Sequence, residues 1–259
     1  MTTGSALSIV QFTPFPWSER GGINEYTRRV SEELARRGHS VLIAAPSGGR
    51  GVHGLGGLLR VGRGGVTETR AALAELADDP DALYRPGEEP RVLSMGGGVK
   101  IPRTGKRQAP VSVDVGNRVE ALLGTGRFDI VHVHDPFVPG FSSTALRHSF
   151  SLNVGTFHET EERPFATQFA RPLLEIFFGR LDARTTSSKT SAKLLNRYFP
   201  GSYEITHPGV DPAEPARVEV PPLKIAFSER EEPGALRLFL RALRRLPADL
   251  RTRLLQQMQ

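Results

Sequence analysis

The 259-residue chain contains no cysteine, which removes disulfide frameworks and thiolate metal sites and suits a reducing compartment. No apolar run is long enough to span a bilayer. The start lacks a basic segment followed by a long apolar core, so the expected location is cytoplasmic, with the inner face of the membrane as a second possibility. The usual nucleotide fingerprints are missing too. There is no G-x-G-x-x-G, and no lysine follows the first glycine loop in P-loop fashion. Without a zinc module, a recognition helix or aromatics interleaved with cations, nucleic acid is not an expected partner. Internal repeats are absent.

What is present is a surplus of cations, mostly arginine, giving a formal net charge of +6. That balance points to an anionic partner, either phosphorylated small molecules or an acidic membrane surface. Hydrophobic residues at 38% and charged residues at 24% are those of a globular protein. The length implies one large or two modest domains.

Strand and helix patterns alternate. Leu7–Phe12 reads as a buried strand, and Ile23, Tyr26, Val30 and Leu34 then recur at helical spacing. Gly38 stops that helix before the strand Ser40–Ala45. Such a strand–helix–strand opening predicts an α/β fold with a doubly wound, mostly parallel sheet. Gly48–Gly65 reads as loop, and Asp78–Pro90 likewise. Strands are expected at 91–94, 128–133, 152–157, 183–187 and 203–206. Helices are expected at 69–76, 114–123, 140–150, 165–178 and 189–198. Prolines 212, 215, 221 and 222 mark residues 212–222 as a linker. It separates a first domain, 1–211, from a strand at 223–228 and helices to 259, the start of a second α/β domain.

Ligands of parallel sheets bind beyond the carboxyl ends of the strands, and three polar clusters fall at such ends. In the first, Gly21 and Gly22 open the helix after the strand ending at Phe12. Glycine there lets backbone N–H groups approach an anion, although an ordinary helix start reads the same way. In the second, His132 and His134 alternate along a strand and share one face of it. Either they chelate a metal, or one is a core residue and His134 borders a site; the second reading is preferred because no third ligand is fixed by spacing. Asp135 before Pro136 suits the site, a turn or a helix cap. In the third, His158 directly follows an apolar strand and is the preferred catalytic candidate; the alternative is a solvent-facing loop histidine. Glu159, Glu161 and Glu162 suit hydroxyl binding or a solvated acidic loop. Lys100, Arg103, Lys106 and Arg107 beside Val99 and Ile101 suit an anionic lipid surface, a phosphate-bearing acceptor or a solvated loop.

Taken together, five segments resemble the acceptor-side half of a GT-B retaining glycosyltransferase. They are the Gly21-Gly22 loop, Gly38-His-Ser-Val41, Phe128–Pro136, Phe157-His158 and Thr206–Asp211. The likeness covers most of residues 7–211. His-Asp-Pro-x-x-Pro at 134–139 and Val-Lys-Ile-Pro at 99–102 are most similar to the phosphatidylinositol mannosyltransferase branch. The resemblance implies a nucleotide-sugar donor such as GDP-mannose or UDP-glucose, held between two Rossmann-like domains. It implies transfer of a hexose to a lipid or small-molecule acceptor with retained configuration, without a metal or other cofactor. Gly21 and Gly22 would face the donor phosphates and His158 the transferred sugar. Trp17, Ser18, Glu19, Asn24, His134, Asp135 and Glu159 would border the acceptor. No enzymic nucleophile is implied, in keeping with the lack of a glycosidase-type carboxylate pair.

The second half departs from that pattern. Arg230 stands where the family's donor-binding arginine is expected, but Pro233 replaces the lysine, and the Glu-rich motif would fall beyond Gln259. The expectation is therefore a fragment, or a half-enzyme that needs a partner subunit. The competing reading is a non-catalytic acceptor-side or membrane-docking module.

Overall fold

The computed structural model describes residues 5–19, 21–46, 57–60, 67–68, 74–76, 78–79, 83–95, 99–100, 110–111, 113–136, 138, 141–158, 175–209 and 235–250. They fall into two units, Met1–Gly209 and Val210–Gln259. The first contains β1 (Ser8–Phe12), α1 (Gly22–Arg36), β2 (Ser40–Ala45), β3 (Gly57–Arg60), β4 (Thr67–Glu68), β5 (Arg91–Ser94), β6 (Val99–Lys100) and β7 (Pro110–Val111). It continues with α2 (Val113–Thr125), β8 (Ile130–His134), α3 (Phe141–His148), β9 (Leu152–Phe157), β10 (Ala183–Thr186), α4 (Lys189–Tyr198) and β11 (Glu204–Ile205).

The main sheet runs in the order β11-β10-β9-β8-β1-β2-β5-β3-β4. From β11 to β5 every neighbouring pair is parallel, whereas β3 pairs antiparallel with β5 and β4. Chain order reverses at β1, which lies between β2 and β8, so the sheet is doubly wound in the Rossmann manner and its crevice opens at that junction.

Two layers cover the sheet differently. Val10, Phe12, Val131 and Val133 belong to the large apolar core with Leu122 of α2 and Phe141, Ala145 and Leu146 of α3. Phe12 and Phe141 meet with ring centroids 5.4 Å apart. The alternate side chains of the same strands, Gln11, His132 and His134, turn to the side of α1, where Gln11 bonds Ser31. They are buried as well, so that layer is polar and must satisfy itself internally.

Sequence patterning matches most of these elements. One correction concerns Gly48–Gly65, read as loop. Backbone pairing places β3 within it, on the outer edge of β5. A parallel sheet leaves that edge with unpaired N–H and C=O groups, and an antiparallel strand covers them without needing an apolar pattern of its own. The expected strand at 128–133 is displaced to 130–134; Asp129, just before it, donates its N–H to the Ser8 carbonyl and accepts the Ser8 N–H on its carboxylate. The helix expected at 165–178 is described only at 175–178, where it is helical.

In the second unit, α5 (Ala235–Arg244) is amphipathic and ends near Pro247. The linker 212–222 and the strand expected at 223–228 lie outside the described residues. Among the described residues no helix is long and apolar enough to cross a membrane.

Candidate functional site

The loop leaving β1 is folded around one side chain. Asn24, in the first turn of α1, accepts a hydrogen bond from the Thr13 hydroxyl at 2.6 Å and donates to the carbonyls of Pro16 and Glu19 at 2.9 Å each. Its amide is consumed by the loop, so Asn24 shapes this rim from within. Trp17 packs against Ile43, Ala45 and Val92, while Ser18 and Glu19 face outward. Asn24→Ala is expected to destabilise the protein by about 2–3 kcal/mol, because the buried Thr13 and Pro16 and the rim carbonyl of Glu19 lose their bonds. Faster limited proteolysis within residues 13–19, with a lower denaturation midpoint, is the measurement.

Gly21 precedes α1 in an extended conformation (φ −169°) and supplies no side-chain cap. A Cβ on Gly22 would meet nothing within 4 Å. Neither glycine sits in a left-handed backbone conformation, and Gly22 is not demanded by neighbouring protein atoms. The first N–H groups of α1 have no partner within the helix. The arginines farther along α1 are committed elsewhere. Arg28 bridges Glu25 and Glu32, and Arg36 and Arg37 share Glu33. Arg28, with Arg29, holds the Glu25 carboxyl down to about 2.

Beyond the carboxyl end of β8 the chain turns sharply at Asp135, whose φ is +46°. Asparagine and aspartate tolerate this left-handed region better than other residues with a side chain. The turn aims the carboxylate across to β9, where Oδ1 accepts the His158 N–H at 2.8 Å, and the Asp135 N–H donates to Thr156 at 2.8 Å. Asp135 thus ties together the two strand ends and fixes the backbone of His158.

Three imidazoles line the α1 side of these strands. His132 Nε2 lies 2.7 Å from the Thr156 hydroxyl, which lies 2.6 Å from that of Thr185. His134 is fully buried, with Nε2 2.8 Å from Gln11 Oε1 and Nδ1 3.0 Å from His158 Nε2. Tyr26, one turn along α1 from Gly22, sets its ring edge on His158 with centroids 4.8 Å apart. The start of α1 and the exit of β9 are therefore neighbours beside the β1–β8 junction.

Burial keeps all three rings neutral at physiological pH. It lowers His132 to about 3 and His158 to about 4, and holds His134 well below 6.5. The charge each would feel from its neighbours adds to the effect at His132 and His134. Among the described residues no group of three His, Asp or Glu side chains is disposed to hold a metal ion.

The structure brings Gly22, Asn24, His134, Asp135 and His158 to one end of the sheet. His134, expected at the border, is instead a sealed support behind His158. Glu159, Arg103, Lys106, Arg107 and Arg230 lie outside the described residues, and of Lys100 only the backbone, in β6, is described. Gln11 and Tyr26 were not foreseen as site residues. Gln11 had a readable signal, a polar side chain amid the apolar Ile9-Val10-Gln11-Phe12, which a strand buried on both faces retains only when bonded.

Three phosphatidyl-myo-inositol mannosyltransferases are similar to this chain. That of Propionibacterium freudenreichii subsp. shermanii is 24% identical over 185 residues, 71% of this chain and 42% of the relative. That of Mycobacterium leprae is 24% identical over 180 residues, 68% of this chain and 39% of the relative. That of Mycobacterium tuberculosis is 26% identical over 183 residues, with 68% and 38% covered. The chain thus spans about two fifths of the length of these relatives. The model of glycosyltransferase family 4 matches residues 20–214. With more than half of its residues in that match, laid out on a Rossmann-like sheet, the chain belongs to glycosyltransferase family 4.

Proposed function

We propose that this chain is the acceptor-side part of a glycosyltransferase that moves a hexose, mannose in the first instance, from a nucleotide sugar to a lipid or small-molecule acceptor with retained configuration. The observation that carries the reading is His158, pinned by Asp135 and His134 near the N-terminal turn of α1 at the sheet's reversal point. A neutral imidazole there accepts a hydrogen bond from a sugar hydroxyl. The helix N-terminus at Gly21 and Gly22 favours the donor's phosphates through its N–H groups and dipole. Ser18 and Glu19 on the outer rim, with Trp17, contact the acceptor. Arg230 is a further candidate for binding the donor. The enzyme works in the cytoplasm at the inner membrane face, and Lys100, Arg103, Lys106 and Arg107 are the candidates for binding anionic lipid.

Titration of the chain with GDP-mannose and UDP-glucose, together with a transfer assay, tests this. Gly22→Ala is the informative variant. The new methyl meets no protein atom, so stability is expected to stay within about 0.5 kcal/mol. The methyl intrudes on the space in front of the helix N–H groups, and donor affinity is expected to fall about tenfold, roughly 1.4 kcal/mol. Failure of both nucleotide sugars to bind would remove the donor part of the proposal, and unchanged affinity in Gly22→Ala would remove the glycine loop from it.

A further inference from the structure

We propose that Gln11 and Ser31, neither of which faces the reaction, act through His134 to set which ring nitrogen of His158 carries the proton. The line of contacts is continuous and buried. Gln11 Nε2 donates to the Ser31 hydroxyl at 2.8 Å, which leaves Gln11 Oε1 toward His134 Nε2. An amide oxygen only accepts, so His134 holds its proton on Nε2. In a neutral ring Nδ1 is then a lone pair, and His158 Nε2, 3.0 Å away, must be the donor. His158 is left with a bare Nδ1, which among the described residues has no hydrogen-bond partner. That nitrogen accepts a hydroxyl proton and cannot donate one.

This makes Gln11 and Ser31 positioning residues. The tautomer assignment follows from the Gln11 amide set with Nε2 toward Ser31 and Oε1 toward His134; its consequence for transfer rests on the function proposed above. Reversing the Gln11 amide would invert every step. His134 would then donate from Nδ1, and His158 would hold its proton on Nδ1 and present a donor instead of an acceptor. The orientation of one buried amide therefore decides the polarity offered at the site.

The test is two-bond proton–nitrogen correlation of the ring signals in the whole chain labelled with ¹⁵N-histidine, the His158 signals being assigned by their loss in His158→Gln. The wild-type chain is expected to show His158 as the Nε2–H tautomer alone. Gln11→Leu and Ser31→Ala are expected to lose that uniqueness and add Nδ1–H signal. Ser31→Ala carries the test if Gln11→Leu does not fold, since it only trims a buried hydroxyl from a helix. An Nδ1–H wild-type form overturns the proposal, as does a single Nε2–H form in the variants that fold. In the transfer assay the variants are expected to lose about tenfold in kcat with little change in donor KM. A single Nε2–H form in the wild-type chain with shifted tautomers in the variants, while the wild-type chain transfers nothing, would uphold the relay and refute the enzymatic reading.

Discussion

His158→Ala is expected to lower sugar transfer by about 10²–10⁴-fold while the protein stays folded. The ring is held on several sides: its backbone by Asp135, Nε2 by His134, its face by the edge of Tyr26. Such restraint leaves it no freedom to seek a ligand, so any ligand it serves must arrive at the remaining nitrogen. Removing the ring deletes that acceptor and leaves His134 Nδ1 without its partner, at a stability cost of about 1–3 kcal/mol. That loss is smaller than the total stability of a typical domain, so rate and fold are separable. Initial rates with GDP-mannose beside thermal unfolding of the same samples supply the check. Wild-type kcat in the variant would exclude the imidazole from the reaction.

The second large effect is acid destabilisation. In the unfolded chain each histidine titrates near its ordinary 6.5, whereas burial holds His132 at about 3 and His158 at about 4, with His134 also well below 6.5. Below pH 6.5 the unfolded state therefore binds more protons than the folded one, and stability falls as pH falls. The contribution is fully present above 6.5 and is lost progressively toward 4 and 3. Each ring removes about 1.4 kcal/mol per pH unit in that window. At pH 5.5 the three together remove on the order of 4 kcal/mol, a large part of an ordinary 5–15 kcal/mol. Urea unfolding at pH 8, 6.5 and 5.5 measures this directly. His132→Gln is expected to flatten the slope by roughly one third. Stability unchanged between pH 7.5 and 5.5 would show that the three rings are not buried neutral. Because His158 itself stays neutral throughout, the acid limb of the transfer rate should follow unfolding rather than titration of that ring.

Much of the frame was legible because the parallel strands are short, mostly apolar segments bounded by glycine, proline and polar residues. Ser40–Ala45 and Leu152–Phe157 coincide with β2 and β9 to the residue, and Lys189–Tyr198 with α4. Elements placed by their partners were not legible: β3 is defined by the open edge of β5, and its Gly-Leu-Leu-Arg carries no alternation to announce it. At the site, the position of His158 could be read from its place after β9. The role of His134 could not, since alternation assigns a face and says nothing of what covers it. Asn24 shows the same limit. A polar residue near a helix start is compatible with a ligand or with a loop, and only the positions of Thr13, Pro16 and Glu19 decide between them.

The central place of β1 has a consequence for synthesis. Its first neighbour, β2, follows soon after it, but the pairing with β8 joins positions as far apart as Ser8 and Asp129, 121 residues along the chain. At roughly 5–20 residues per second the ribosome needs on the order of ten seconds to deliver that second partner. Throughout the interval the newborn strand offers one naked, strongly apolar edge to any other nascent polypeptide. Dilute, cool expression and abundant chaperones should therefore raise the soluble yield, and crowded refolding should lower it.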